Sequence, residues 1–316
     1  MQSAVLFLVF NRPETTVRVF ESIRRAQPPR LYVAADGPRP ARAGEPERCA
    51  EVRAIATAVD WPCKVETLFR DENLGCKRAV SGAIDWFFAN EAEGVILEDD
   101  ILPDPSFFPY CDALLARYRD DANVAMISGC NLIGDRHGAD ASYVFTHYMH
   151  IWGWASWRRA WCHYDADMAG WADPAAKRKL ADVLGNRPRA MAYWSGIFDQ
   201  MAAGTIDTWD YQWVFAAWMR DMIATIPAHC LIENIGYGAN ATHTTGDMPK
   251  AVRAARPRPM AFPLCHPDRS EVRMIDLLEE QHAFGLTWQN ALRARLAHVP
   301  LLRRLVNGVR TALNRR

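Results

Sequence analysis

Glu98, Asp99 and Asp100 follow directly on the apolar run Val95-Ile96-Leu97. Three adjacent carboxylates at the end of a buried strand repel one another and are costly to desolvate, so a cation among them is the simplest resolution. A hard divalent ion suits such a cluster, because it takes one or two carboxylates and completes its shell with phosphate oxygens. A solvated acidic turn is the alternative reading. Other chemistry-bearing residues recur at the ends of apolar runs. Asn11 and Arg12 follow 4–10, Asp36-Gly37 follows 31–35, and Asp207 and Asp210 flank Trp209. Asp36 before Gly37 also fits a turn that caps its own backbone, and Asp210 fits a helix N-cap. Lys77 and Arg78 open a helical stretch, where they can meet a diphosphate or lie in water. His243 sits in a polar Asn-Ala-Thr-His-Thr stretch. His147 and His150 lie three apart in strand-like sequence, which argues against a metal pair.

The elements that must position these groups alternate. Residues 4–10 and 31–35 read as strands buried on both faces, with a third strand at 64–69 and a fourth ending in the acids. Helices are expected at 13–26, 46–59 and 76–90, the first opened by Pro13 and Glu14. Such alternation predicts an α/β chain with a mostly parallel sheet flanked by helices. Its polar strand ends fall on one edge, where ligands bind in open α/β sheets. Beyond residue 104 the rhythm changes. A helix is expected at 107–118 and strands at 124–128 and 222–226. Further helices are expected near 154–162, 174–184, 189–202 and 210–220. The Trp-rich stretches 151–161 and 208–213 read mainly as core, with sugar stacking as the alternative.

Residues 1–104 are expected to form a nucleotide-binding half and 105–245 an acceptor half of one domain. Residues 246–270, rich in Pro and Arg, read as a linker or strap. Residues 271–316 read as a C-terminal helical tail. Its last 26 residues carry seven arginines and no acid, with leucines and valines at roughly helical spacing. A basic amphipathic helix of this kind predicts membrane-surface contact, against the alternative of a helix docked on the body.

The 37 basic and 37 acidic residues balance, which argues against nucleic acid as a partner. Eight scattered cysteines without a CxxC argue for free thiols rather than structural zinc. The first apolar run starts too early for a signal peptide and lacks a basic leader, and no run approaches a membrane span. The expected location is therefore cytoplasmic, with peripheral attachment to the inner face of the membrane through 291–316. No GxGxxG follows the first strand and no GxxxxGK[ST] occurs, which disfavours dinucleotide and P-loop enzymes.

Phe10-Asn11-Arg12-Pro13, Asp36-Gly37, Glu98-Asp99-Asp100, Gly153-Trp154 and Trp209-Asp210 with Trp213 resemble, in this order, the GT-A-fold nucleotide-sugar glycosyltransferases. The nearest pattern is the N-acetylglucosaminyltransferase I type and its bacterial relatives. The resemblance covers residues 4–245. It implies a GT-A-like, Rossmann-related fold and a DXD-like site for Mn²⁺ or Mg²⁺, with Asp100 as the direct ligand and His243 as a late metal or phosphate contact. It further implies that Asp36 takes the imide N–H of a base and that Asn11, Arg12, Gly37 and Glu98 line the nucleotide. Asp99 would face the ribose or back the metal. Asp210 would be the general base of an inverting transfer of a hexosyl or N-acetylhexosaminyl group. The family pattern has Trp-Asp-Asp-Trp where this chain has Trp209-Asp210-Tyr211-Gln212-Trp213, so Asp207 stands in reserve. The donor implied is a nucleotide-diphospho-sugar, UDP-linked by preference. The acceptor is a glycan or lipid-linked molecule, in bacterial polysaccharide biosynthesis. Two rivals are a sugar-nucleotide nucleotidyltransferase, which would begin with a Gly-rich phosphate loop, and a non-catalytic GT-A-like module that binds glycan.

Overall fold

Every residue of the first strand, β1 (Ala4–Val9), is buried. Its side chains alternate between two cores. Ala4, Leu6 and Leu8 belong to one, and Val5, Phe7 and Val9 to the other. A strand that must satisfy two apolar layers reads as an uninterrupted apolar run. The structure is a computed structural model that describes residues 1–237, 250–288 and 290.

The expected alternation is present through the first hundred residues. After β1 come α1 (Pro13–Ala26), β2 (Arg30–Ala35), α2 (Glu45–Ala56), β3 (Lys64–Phe69), α3 (Gly75–Asn90) and β4 (Glu93–Glu98). Then follow β5 (Ile101–Pro103), α4 (Phe107–Arg117), β6 (Val124–Ser128), β7 (Tyr143–Thr146), β8 (Trp154–Trp157) and α5 (Arg158–Trp161). The rest is α6 (Pro174–Val183), α7 (Pro188–Ala202), α8 (Asp210–Trp218), β9 (Ile223–Pro227), β10 (Ile232–Asn234), α9 (Lys250–Ala254) and α10 (Val272–His282).

Eight strands form one sheet in the order β3-β2-β1-β4-β8-β6-β9-β7, and β10 pairs with β5 apart from it. The first four are parallel, with Leu8 beside Ala34 on one side and Glu98 on the other. Strand β8 runs antiparallel to both β4 and β6, so β6 points the same way as β4. α3 packs Ala83, Ile84, Phe87 and Phe88 into the core on one face of the sheet. α1, α2 and α4 pack Val19, Phe20, Ile23, Val52, Leu114 and Leu115 into the core on the other. The chain is thus α/β, with a mostly parallel sheet flanked by helices, as expected.

One expected helix is not there. Trp154–Trp157 is a fully buried strand held between β4 and β6, and only Arg158–Trp161 is helical. Four aromatic-rich residues are too short to show a period of two, and the Arg-Arg-Ala-Trp that follows gave the whole stretch a helical look. Within 246–270, read as a linker, residues 250–254 form α9.

α10 lies in the segment that the sequence assigns to a tail, yet three of its acids are buried in the body. Asp276 accepts from the Thr146 hydroxyl at 3.0 Å and the His147 amide at 2.9 Å, and its carboxylate meets His147 Nδ1 at 2.8 Å. Glu279 meets His150 Nε2 at 2.9 Å. Glu280 takes Arg187 at 2.6 Å and the Tyr148 hydroxyl at 2.7 Å. Burial works against a charged His150 ring, but Glu279 outweighs it and raises the ring's hold on its proton. His147 and His150 therefore anchor a helix, each through a carboxylate partner. The basic segment 291–316 lies outside the described residues. Among the described residues no helix is long and apolar enough to cross a membrane.

Candidate functional site

The carboxyl ends of β1, β2 and β4 open into a cleft of about 1150 Å³, closed on one side by the first turns of α3. Leu8, Ala34, Val80 and Ala83 give it an apolar side. Arg12, Arg39, Arg70, Asp36, Glu98, Asp99 and Asp207 give it charge. The parallel register brings these groups together, because strand ends at one level deliver their loops to one edge.

Arg12 ties two of the three adjacent acids. Its guanidinium donates to Asp100 Oδ2 at 2.9 Å and to Asp99 Oδ1. Asp99 is 3% exposed, and its other oxygen accepts from the Phe10 amide at 3.3 Å. Burial pushes the Asp99 carboxyl up despite Arg12. For Arg12 burial pulls the other way, but the two aspartates outweigh it and the guanidinium holds its proton more tightly than usual. The Glu98 carboxylate has no hydrogen-bond partner among the described residues. Burial, with Asp100 and Asp99 beside it, pushes its carboxyl up to about 8. Asp210 adds to that rise, which places its charge close to Glu98.

Asp36 and Asp207 are both committed to the start of α3. Asp36 accepts from the amides of Gly37 at 2.9 Å, Leu74 at 3.0 Å and Gly75 at 3.2 Å, and from Asn73 Nδ2 at 2.9 Å. Asp207 accepts from the amides of Cys76 at 2.9 Å and Lys77 at 3.0 Å. Four successive donors, which a helix N-terminus leaves unpaired, are thus satisfied by two remote carboxylates. A base N–H brought to Asp36 would share oxygens that already hold four protein donors. Burial nonetheless raises the Asp36 carboxyl against those bonds. Gly37 fits because its Cα lies against the Glu72 backbone, where a Cβ would come within 2.4 Å.

The remaining expected residues are dispersed. Asn11 donates to Glu45 at 2.7 Å, and Glu45 in turn holds Arg39 through its guanidinium and its amide, so Asn11 supports the arginine at the rim. The Lys77 ammonium lies 3.4 Å from Asp167 and Arg78 is exposed, and neither lines the cleft. The Thr208 hydroxyl donates to Asp210, at the first turn of α8. His243 lies outside the described residues. Arg39, Arg70 and Asn73 were not expected. The signal was available, since Arg70 directly follows β3 and Arg39 closely follows the Asp36-Gly37 turn.

Cys76 measures the field in the cleft. Burial, then Glu98, Asp207, Asp210 and Asp36, push its thiol up to about 12. Four carboxylates, Asp36, Glu98, Asp99 and Asp207, line the cleft with three arginines, Arg12, Arg39 and Arg70. Among the described residues no three His, Cys, Asp or Glu side chains converge on one point. Among the described residues Asp100 Oδ1 and the Glu98 carboxylate have no protein partner, and both are hard oxygen donors. That set fits a Mg²⁺- or Mn²⁺-type ion whose shell is completed by phosphate and water, not one caged by protein. Gly236 brings its backbone so near Asp100 that a Cβ there would stand 1.9 Å from Oδ2.

No family model matches the sequence, and no curated protein matches it. Among solved structures the chain is similar to the galactosyltransferase LgtC in complex with donor and acceptor sugar analogs. The identity is 12% and the TM-score 0.37, over 68% of this chain and 70% of that one. It is similar to mouse xyloside xylosyltransferase 1 at 11% identity and TM-score 0.33, over 69% and 81% of the two chains. It is also similar to HddC from Yersinia pseudotuberculosis at 10% identity and TM-score 0.31, over 50% and 77%. Likenesses this distant carry no weight for the chemistry, which rests on the cleft itself.

Proposed function

We propose that the protein is a glycosyltransferase that moves a sugar from a nucleotide-diphospho-sugar, UDP-linked by preference, to a glycan or lipid-linked acceptor. The observation that carries this reading is the run Glu98, Asp99 and Asp100 at the strand end, answered by one guanidinium among the described residues. A diphosphate brought to these acids would be repelled unless a divalent cation came with it. Asp100 and Glu98 would hold that ion, Mn²⁺ or Mg²⁺, and His243 is a further candidate. When bound, it would supply positive charge to the leaving diphosphate.

The chain's own residues divide the remaining work. The α3 N-terminus is filled by Asp36 and Asp207, so Arg12, Arg39 and Arg70 are the groups placed to meet phosphate or ribose. The apolar side formed by Leu8, Ala34, Val80 and Ala83 suits the face of a base. Asp210, near Glu98 and beside the aromatic α8, would take the proton of an acceptor hydroxyl in an inverting displacement. Residues 1–104 would then be the donor half and 105–245 the acceptor half. The tail 291–316 would bring the enzyme to the inner face of a bacterial membrane for polysaccharide synthesis.

Calorimetric titration of UDP and GDP, with and without Mn²⁺, tests the reading on wild type and Asp100→Ala. Metal-dependent binding of one nucleotide, lost in the variant, is expected. Absence of binding to both nucleotides by folded protein would sink it.

A further inference from the structure

Two thiols outside the cleft lie on neighbouring segments. The amide of Leu231 donates to the carbonyl of Gly129 at 2.8 Å. That bond ties together the two segments that carry Cys130 and Cys230, each one residue away from it. The Cys230 sulfur lies 3.8 Å from the carbonyl oxygen of Gly129, the residue before Cys130, and 3.2 Å from that of Ile232. Both residues are buried, and both line a second, smaller cleft of about 510 Å³ with Trp152, Ile232, Val252 and Arg256. Neither thiol supports the sheet through a disulfide, since both are free.

We propose that Cys130 and Cys230 form a reversible dithiol–disulfide site, opened to small oxidants of the peroxide class by the cleft they line. The hydrogen bond from Cys130, with the amides of Asn131 and Ile232 and the charge of His150, favours the thiolate at Cys230 against the cost of burial. The same coupling, with burial, keeps Cys130 a thiol. Cys230 is therefore the attacking sulfur. Its thiolate displaces one oxygen of the peroxide, gaining OH as a sulfenic acid and releasing hydroxide, which the Cys130 proton converts to water. The Cys130 thiolate so formed attacks the sulfenic sulfur, and the OH leaves as hydroxide, which takes from solvent the proton that Cys230 gave up on ionising and becomes the second water. Two thiols are oxidised by two electrons, and one peroxide is reduced to two waters.

The test needs only the full-length protein, and its result is independent of the glycosyl-transfer reading. Hydrogen peroxide is added, remaining thiols are alkylated, and the digest is mapped by mass spectrometry. The expected product is a linked pair of peptides carrying Cys130 and Cys230, lighter by about 2 Da than the two free peptides and separated by dithiothreitol. Cys230→Ser is expected to abolish the link. In Cys130→Ala, Cys230 should stop at a sulfenic acid that dimedone captures. The exposed Cys162 and Cys265 serve as internal controls. Recovery of Cys130 and Cys230 as separate alkylated peptides from folded wild type, while the controls are oxidised, would overturn the proposal. Links that join either residue to a different cysteine would do the same.

Discussion

Asp36 and Asp207, far apart in the chain, hold the same helix end between them, one taking the amides of Leu74 and Gly75 and the other those of Cys76 and Lys77. A free helix N-terminus attracts phosphate. Here that position already carries two carboxylates, so phosphate binding falls to the arginines and to a metal ion. Asp207 is accordingly expected to act as a remote cap. Asp207→Ala should lower stability by about 0.5–2 kcal/mol, the cost of losing a cap. Asp207→Asn, which keeps an acceptor oxygen, should recover most of that and keep sugar-transfer activity. Urea unfolding alongside an activity assay checks this, and loss of turnover in Asp207→Asn at unchanged stability would make Asp207 the base instead.

Arg12 is the only guanidinium seen on Asp99 and Asp100 among the described residues. Removing it leaves Asp99 buried without its cation. Arg12→Ala should destabilise the fold by about 3 kcal/mol, near the lower end for breaking a buried pair. Arg12→Lys should restore only part, because one ammonium cannot meet two carboxylates as a guanidinium does. Thermal unfolding at neutral pH measures both.

Glu45 supplies the clearest pH dependence. Arg39, opposed by burial and aided by its own amide and Asn11, lowers the Glu45 carboxyl to about 2. The folded value is depressed, so the stabilisation is present above the unfolded value and is lost as pH falls from about 4.5 toward 2. Its size is on the order of 2 kcal/mol, below what the shift alone would give, because Arg39 is partly in water. Glu45→Gln should therefore be less stable than wild type at pH 7 and lose less on acidification. Parallel acid-limb slopes for the two proteins would refute the assignment.

Gly236 leaves no room for a Cβ beside Asp100. Gly236→Ala should push the Asp100 carboxylate out of place and weaken Mn²⁺-dependent nucleotide binding by about tenfold or more, equivalent to about 1.4 kcal/mol. Calorimetry with UDP and Mn²⁺ reads this directly, and an unchanged affinity would mean that Asp100 is not a ligand.

Much of the sheet was legible because most of its strands are buried on both faces, the edge strand β3 excepted. β1, β3 and β6 fall within a residue of their expected bounds, since an apolar run or a short β-branched stretch between turn signals admits little else. Strand β8 was misread because its burial comes from neighbours on both sides, which a four-residue window cannot reveal. The same limit applies to the site. The strand-end rule found Arg12, Asp36 and the three acids, but what each side chain touches depends on loops far away in sequence. Nothing near His147 or His150 announces Asp276 or Glu279, and nothing near Gly75 announces Asp207. Local sequence carries the frame, whereas partner choice is written in the tertiary contacts.

The reversed strand β8 has a further consequence. Because it runs against both neighbours, β4 and β6 point the same way, and the loops that leave them emerge on one rim. Lengthening or exchanging those loops would reshape the mouth of the molecule while leaving every pairing of the sheet intact. A change of substrate in a chain built this way can therefore be a change of rim alone, made without refolding the plate that carries it.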